Sequence, residues 1–495
     1  MTGLRRASAA PAVLALGLAL GAAAPLALGG CSVNPATGED QFTALMSPEE
    51  ERRIGAREHP RLVQVLGGLY DDAALQRYVA DLGRRLQQTS EQPEPPFTFV
   101  VLDSPEANAF ALPGGYIHVT RGLMALANDE AELAGVIAHE IGHVTARHSA
   151  ERYSHGVVAG LGAALLGAVI DSESVSDFAE RAAGAYVKGY SRAQELEADM
   201  LGVRYLSRSG FDATAMSSLL ETMGAVTALD RPMAGARGEQ AQAGLFASHP
   251  RTADRVRKAA EAARAQFGGE RGRDTYLRRI DGMIYGDSPE DGFVRGRAFA
   301  HPRLRIAFTA PPGFRLRNGP LAVVGTHPTG ALLRFDEARL KDPAMGTLHY
   351  LQGVWASRVP LDRIERLAID GLDAVAARTR LRTSAGVRDI RLVAIRAAPE
   401  RVYRFFFVTP PERTRAFVAP FRQMMGSFRR LSQRQAANLR PLRLRVVEVA
   451  PADTVESLAA RMPFNDFRAE RFRVLNGLRP GERLRPGQLV KIVTE

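Results

Sequence analysis

The pentapeptide His139-Glu140-Ile141-Gly142-His143 constrains this chain more than any other stretch. On a helix, residues four apart lie one turn above each other, so His139 and His143 offer imidazoles to one side at a spacing that a zinc ion can bridge. Glu140 falls about 100° round from His139, near enough to hold a water at such an ion without ligating it. The surrounding pattern is helical. Asn128 is placed to cap the helix, Asp129, Glu130 and Glu132 suit the positive end of its dipole, and Leu133, Val136, Ile137 and Ile141 are available for packing. A zinc ion that does chemistry needs three protein ligands and an open position. His148 is no substitute third ligand, since nine positions from His139 is about half a turn away on the helix, and it reads as a hydrogen-bonded or surface histidine. Downstream, Glu195 and Asp199 are again four apart on a predicted helix, while Glu197 points elsewhere. Glu195 could complete a His, His, Glu set and Asp199 could accept the free ring N–H of a ligating histidine. Taken alone, the same two acids would make a solvated helix face.

At 495 residues the chain exceeds one compact core and suits about three domains. Its 45% hydrophobic and 24% charged residues exclude global disorder. The net charge of +11 is spread, nearly all of it Arg, with Lys only at 188, 258, 341 and 491. No basic block is interleaved with aromatics, which argues against a nucleic-acid partner. Residues 1–30 carry Arg5 and Arg6, then an apolar run, and read as an export signal. Leu28-Gly29-Gly30-Cys31 resembles the lipobox of bacterial lipoproteins, which implies an acylated Cys31 and a membrane anchor. Ser32 at the next position implies the outer rather than the inner membrane. Cys31 is the single cysteine, so no disulfide forms within the chain.

The organisation reads as multidomain. Residues 31–46 form a turn-rich tether, and 47–270 a mainly α-helical domain with a small β-sheet, helical over 71–90 and strand-forming at 97–102 and at Tyr116, Ile117, His118 and Val119. Gly156–Ile170 is apolar but too short to span a bilayer, and is expected to pack over the cleft. Residues 271–300, rich in Gly, Arg and Asp, read as a linker. Strand signals at Leu304–Phe308 and Tyr403–Val408, with a helix near 415–427, predict a small α+β domain over 301–432 without assignable chemistry. Residues 443–495 read as a separate β-α-α-β unit similar to LysM, which implies a peptidoglycan glycan as partner, although Ala452 replaces the usual Gly before Asp453-Thr454.

Four motifs carry a wider resemblance: His139–His143, Ser191–Asp199, Asn108–Val119 and Ser248-His249-Pro250. Over roughly 45–270 the chain resembles the M48-type zinc metallopeptidases, the Ste24- and HtpX-like family, in its periplasmic lipoprotein branch. The longer zinc-protease pattern, with a third ligand six residues after the second His, is excluded because Ser149 stands there. The resemblance implies a zincin-type fold binding one Zn2+ per chain through His139, His143 and Glu195, with Glu140 as general base toward a zinc-activated water and Asp199 behind a ligating histidine. It also implies a cleft role for His249, either stabilising an oxyanion or sitting on the zinc in a latent state. Tyr116–Val119 is expected to form a sheet edge that pairs with extended substrate. The implied function is a metalloendopeptidase at the periplasmic face of the outer membrane, acting on unfolded or misassembled envelope polypeptides. Two alternatives stand beside it: an assembly factor or chaperone with a latent site, and a peptidoglycan-associated hydrolase.

Overall fold

The computed structural model describes residues 31–43, 45–155, 189–234, 249, 253–266, 268–383 and 386–495. The segment 1–30, expected to be an export signal, and the Gly156–Ile170 run lie outside the described residues.

The helical domain begins with a hairpin, β1 (Cys31–Val33) against β2 (Asp40–Phe42), in the segment expected to be a tether. It is held to the domain, because buried Asn34 donates through Nδ2 to Glu197 Oε1 at 2.7 Å. Helix α1 (Pro48–Val65) follows, then α2 (Ala73–Gln87), whose Leu75, Val79, Leu82 and Leu86 form the apolar stripe of an amphipathic helix. Strands β3 (Thr98–Leu102), β4 (Ala109–Leu112) and β5 (Tyr116–Thr120) form one sheet in the order β3-β5-β4. Strand β5 is therefore central, parallel to β3 on one side and antiparallel to β4 on the other. This corrects the expectation for Tyr116, Ile117, His118 and Val119: their backbones are already paired on both sides, and the outer strands are β3 and β4, of which β4 has β5 as its one strand partner among the described residues.

Short α3 (Arg121–Leu126) leads into α4 (Glu130–Thr145), which carries the paired histidines. Its N-cap is Asp129, one residue later than expected. The Asp129 Oδ1 accepts the Glu132 amide at 2.8 Å, while Glu132 Oε2 accepts the Asn128 amide at 2.8 Å, a reciprocal cap. Helices α5 (Arg192–Arg208), α6 (Ala215–Ala234) and α7 (Ala253–Arg264) complete the domain.

Residues 271–300 are folded rather than a linker. Helix α8 (Arg273–Ile280) buries Tyr276, Leu277 and Ile280 in the core of the first domain, so apolar spacing overrides the Gly- and Arg-rich composition. Strand β6 (Ile284–Tyr285) follows, then β7 (Phe293–Arg295), β8 (Ala298–His301) and β9 (Ile306–Thr309) of a four-stranded sheet. Strands β10 (Arg315–Arg317), β11 (Val323–Thr326), β12 (Leu332–Arg339), β13 (Asp362–Ile369), β14 (Leu372–Thr383), β15 (Gly386–Ala398) and β16 (Arg401–Thr409) build a seven-stranded antiparallel sheet. Helix α9 (Thr414–Ser427) covers one face, and β17 (Arg429–Arg430) joins β9.

The C-terminal unit runs β18 (Leu442–Glu448), α10 (Val455–Ala460), α11 (Arg468–Leu475) and β19 (Leu489–Thr494), the expected β-α-α-β order. It is not separate. Strand β18 pairs with β6, Leu444 and Val493 enter the core of the first domain, and buried Lys491 donates through Nζ to the carbonyls of Ala125 and Ala127 at 2.8 and 2.7 Å. Among the described residues no helix is long and apolar enough to cross a membrane.

Candidate metal centre

Helix α4 is buried on nearly every side, which is why its apolar residues do not confine themselves to one stripe. Its partner α5 is started by a capping box in which Ser191 Oγ accepts the Gln194 amide at 3.2 Å and Gln194 Oε1 accepts the Ser191 amide at 3.0 Å. Two glycines let the helices touch. A Cβ on Gly142 would come within 3.2 Å of the Ala198 carbonyl oxygen, and one on Gly202 within 3.2 Å of the His139 nitrogen. That contact sets Glu195 and Asp199 opposite His139 and His143.

Four donors converge: one atom each from His139, His143, Glu195 and His249, all within 4.8 Å of one another and all buried. The Nε2 atoms of His139 and His143 are 3.1 Å apart. Glu195 places Oε2 3.6 Å from His139 Nε2 and Oε1 3.6 Å from His143 Nε2. Ligands at ordinary zinc distances occupy tetrahedral corners about 3.3 Å apart, so these separations have the right size.

The hydrogen-bond network makes the same case. His139 Nδ1 lies 3.0 Å from Asp199 Oδ1, an acceptor that fixes the ring proton there. His143 Nδ1 lies 2.8 Å from His148 Nδ1, and His148 Nε2 lies 3.3 Å from Glu197 Oε2. With His148 donating to Glu197, its other nitrogen accepts from His143. Assigned in this way from their partners, both Nε2 atoms present lone pairs to each other and to a carboxylate. Uncompensated lone pairs do not pack together in a dry site; a cation belongs between them. The donor set fits one zinc ion.

Arg255 clamps the acids from behind, donating through Nε and Nη2 to Asp199 at 2.7 and 2.8 Å, with Nη1 2.7 Å from Glu195 Oε2. Burial pushes the Asp199 carboxyl up, but Arg255 and His139 outweigh it and hold it below its ordinary range. At Glu195 burial is likewise outweighed, there by His249, His139 and Arg255. Burial, then His139 and His148, drives His143 well down and keeps it neutral as a ligand must be. Glu140 is fully buried and burial raises its pKa; neither oxygen makes a side-chain hydrogen bond, with His249 Nε2 3.4 Å away and the backbone of Ala111 facing it.

Residues 73–263 match the sequence profile of peptidase family M48. They are an M48 peptidase domain. The beta-barrel assembly-enhancing protease of Escherichia coli (strain K12) is 34% identical to the chain over 164 residues, 31% of this chain and 34% of that protein. The protease of the same name from Yersinia pestis is 32% identical over 189 residues, 36% and 39% respectively. The mitochondrial metalloendopeptidase OMA1 of Schizosaccharomyces pombe is 33% identical over 186 residues, 37% of this chain and 52% of that protein. The chain thus spans about a third to a half of the length of these relatives.

Within the M48 domain the structure brings His139, Glu140, His143, Glu195, Asp199 and His249 to one place. His249 is the fourth member of the cluster, its Nδ1 2.8 Å from Glu195 Oε1 and 3.4 Å from His139 Nε2. Burial lowers its basicity, but Glu140 and Glu195 prevail and raise it. Tyr116–Val119 stand behind β4, and Cys31 lies in the hairpin, its backbone paired with Phe42. His148 is the hydrogen-bonded histidine expected, though its partner was not foreseen, and Tyr190 escaped sequence reasoning. His148 supports His143, and Tyr190 stacks on the His143 ring with centroids 3.8 Å apart and planes at 16°. Beside them a cavity of about 230 Å³ runs along Ala111, Leu112 and Pro113 to His143 and Tyr190.

Proposed function

We propose that this protein is a zinc-dependent endopeptidase of the bacterial cell envelope that hydrolyses misfolded or misassembled envelope proteins. One observation carries the reading: two imidazole lone pairs and a carboxylate converge while a second, buried carboxylate, Glu140, is left without a side-chain hydrogen bond beside them. His139, His143 and Glu195 would hold the metal, and zinc supplies a Lewis acid that polarises the scissile carbonyl and acidifies a neighbouring water. Asp199 and His148 orient the two rings. Glu140 accepts the proton of the attacking water and returns it to the leaving nitrogen. The free edge of β4, Ala109–Leu112, offers an extended polypeptide backbone pairing above the site, which selects unfolded chain over side-chain sequence.

The envelope setting is supported by the Leu-Gly-Gly-Cys31 sequence and by relatives named for enhancing beta-barrel assembly. On this reading Cys31 is acylated and holds the protein at the periplasmic face of the outer membrane. The β-α-α-β unit over 443–495 is a LysM-like module in contact with peptidoglycan glycan. Purified protein is expected to carry about one zinc per chain, and Glu140→Gln to retain the metal while losing casein hydrolysis by on the order of 10²–10⁴-fold. Wild-type rates in Glu140→Gln would overturn the mechanism. Labelled palmitate should enter the wild type and not Cys31→Ser.

The position of His249 favours a second reading, an assembly factor whose protease is latent because the fourth corner is taken. Full rescue of envelope defects in a deletion strain by Glu140→Gln would support it; rescue by wild type alone supports cleavage.

A further inference from the structure

We propose that the cavity between β14–β15 and α9, far along the chain from the metal centre, binds a small anionic amphiphile: one phosphate or carboxylate head on an acyl- or aryl-sized apolar body. The cavity measures about 590 Å³, within the range of small-molecule sites. Its composition is divided. Phe407 of β16 and Val418 and Phe421 of α9 form an apolar floor, and Arg363, Arg378, Arg380 and Arg391 stand around it.

Strand register explains the division. Arg378 and Arg391 are directly opposite across β14–β15, and Arg391 is opposite Phe407 across β15–β16, so all three side chains share one face of the sheet. Two residues further along, that face carries Ala376, Val393 and Phe405, which belong to the domain core. The cavity is therefore the mouth of the core, where apolar side chains give way to guanidiniums beneath the first turns of α9.

Like charges directly opposite each other destabilise a sheet. Here the described residues offset that cost only in part. Four guanidiniums face two carboxylates, Asp362 and Asp389, and Asp389 is already taken by Arg380 at 2.6 and 3.2 Å and by Thr414 at 2.7 Å. Among the described residues Arg378 makes no ion pair, although it is half-buried and opposite Asp362 in the register. Among the described residues Arg391 has only Glu365, at 3.6 Å, while burial and then Arg378 push its pKa down. Arg363 is held with φ at 48° where the β13–β14 register shifts, a left-handed conformation that costs free energy in a non-glycine residue. An anion between Arg378 and Arg391 removes the repulsion and accepts bidentate hydrogen bonds. A bare anion would leave the floor of Phe407, Val418 and Phe421 wet, and burying those side chains against an apolar body is the remaining gain.

The test is calorimetric titration of the full chain with dodecyl phosphate below its micelle concentration. Saturable binding of one molecule per chain is expected, weakened at least about tenfold in Arg378→Gln/Arg391→Gln, which removes the head contacts, and in Val418→Trp, which fills the floor. Either variant with unchanged peptide hydrolysis and thermal midpoint is informative, so failure of one to fold leaves the other. Inorganic phosphate and neutral dodecyl maltoside should each bind at least about tenfold more weakly than dodecyl phosphate. Equal affinity for either probe, or unchanged affinity in a folded variant, overturns the proposal. Phosphatidylglycerol vesicles identify the source: co-sedimentation that the variants lose supports a membrane lipid as the ligand, and its absence alongside dodecyl phosphate binding supports a soluble amphiphile.

Discussion

Two buried regions of this molecule, the aromatic core of the α+β domain and the polar cluster between α4 and α5, are chemically opposite. Between the seven-stranded sheet and α9, Phe308, Phe335, Phe405, Phe407 and Phe421 pack ring on ring, with Phe308 edge-on to Phe405 at 5.2 Å and Phe407 against Phe421 at 4.2 Å. Around α4 and α5 an apolar core that includes Leu133, Ile137, Ile141, Leu201 and Leu206 encloses a polar cluster of buried His139, Glu140, His143, His148, Glu195, Asp199, His249 and Arg255. Apolar area and aromatic geometry stabilise the first interior. The second is complete only with a cation, since its convergent lone pairs otherwise repel. One core holds the fold; the other holds a function at the expense of stability in the apo state.

That contrast can be broken. Glu195→Ala should remove zinc and reduce casein hydrolysis at least about 10³-fold, while the unfolding transition of the α+β domain stays where it is. An equal shift of both transitions would mean the two interiors are one cooperative unit. Phe405→Ala does the converse: truncating a fully buried ring should cost about 3–5 kcal/mol in the α+β domain and leave zinc content unchanged, as read by denaturant unfolding and metal analysis. Chelating zinc from the wild type should destabilise only the M48 domain, by about 4 kcal/mol if the ion stands near a thousandfold above its Kd, visible in calorimetry as the loss of one component's midpoint. Arg255→Met sharpens the comparison inside the metal centre. It removes the clamp behind Glu195 and Asp199 while keeping every proposed ligand residue, and should weaken zinc binding about 10–100-fold in competition with a chelator.

The smallest effect concerns the contact between the domains. Burial, then Asp103 and Asp287, raises the Asp291 pKa to about 6. Below about pH 4 the carboxyl is protonated folded and unfolded alike, so it contributes no pH dependence. Between there and pH 6 the folded state keeps a proton that the unfolded chain releases, and stability falls as pH rises. Asp291→Asn should therefore raise the thermal midpoint at pH 8 and leave it unchanged at pH 4.

Much of the metal centre was legible from helix arithmetic. Four-residue spacing aligned His139 with His143 and Glu195 with Asp199, and each pair does share a face. The same arithmetic misplaced His148, because it assumed a helix that continues. Helix α4 ends at Thr145, and Arg147 turns the chain with φ at 55°, which swings His148 back onto His143. The edge strand was misread for a different cause. Tyr116–Val119 has the stronger strand composition, but strand order is a property of the sheet, and β4 rather than β5 lies outermost. Residues 271–300 misled through composition: Gly and Arg dominate the count, while Tyr276, Leu277 and Ile280 decide the burial.

By itself the sequence determined which side chains lie one helical turn apart, since the 3.6-residue period is local and covalent geometry enforces it. It determined as well that a lone cysteine follows an apolar run. Only the tertiary structure decided that the imidazole pair of one helix meets the carboxylate of another. That meeting depends on the close approach allowed at Gly142 and Gly202, on the Arg255 clamp, and on His249 returning from a distant segment, all of them packing contacts between residues that no spacing rule connects.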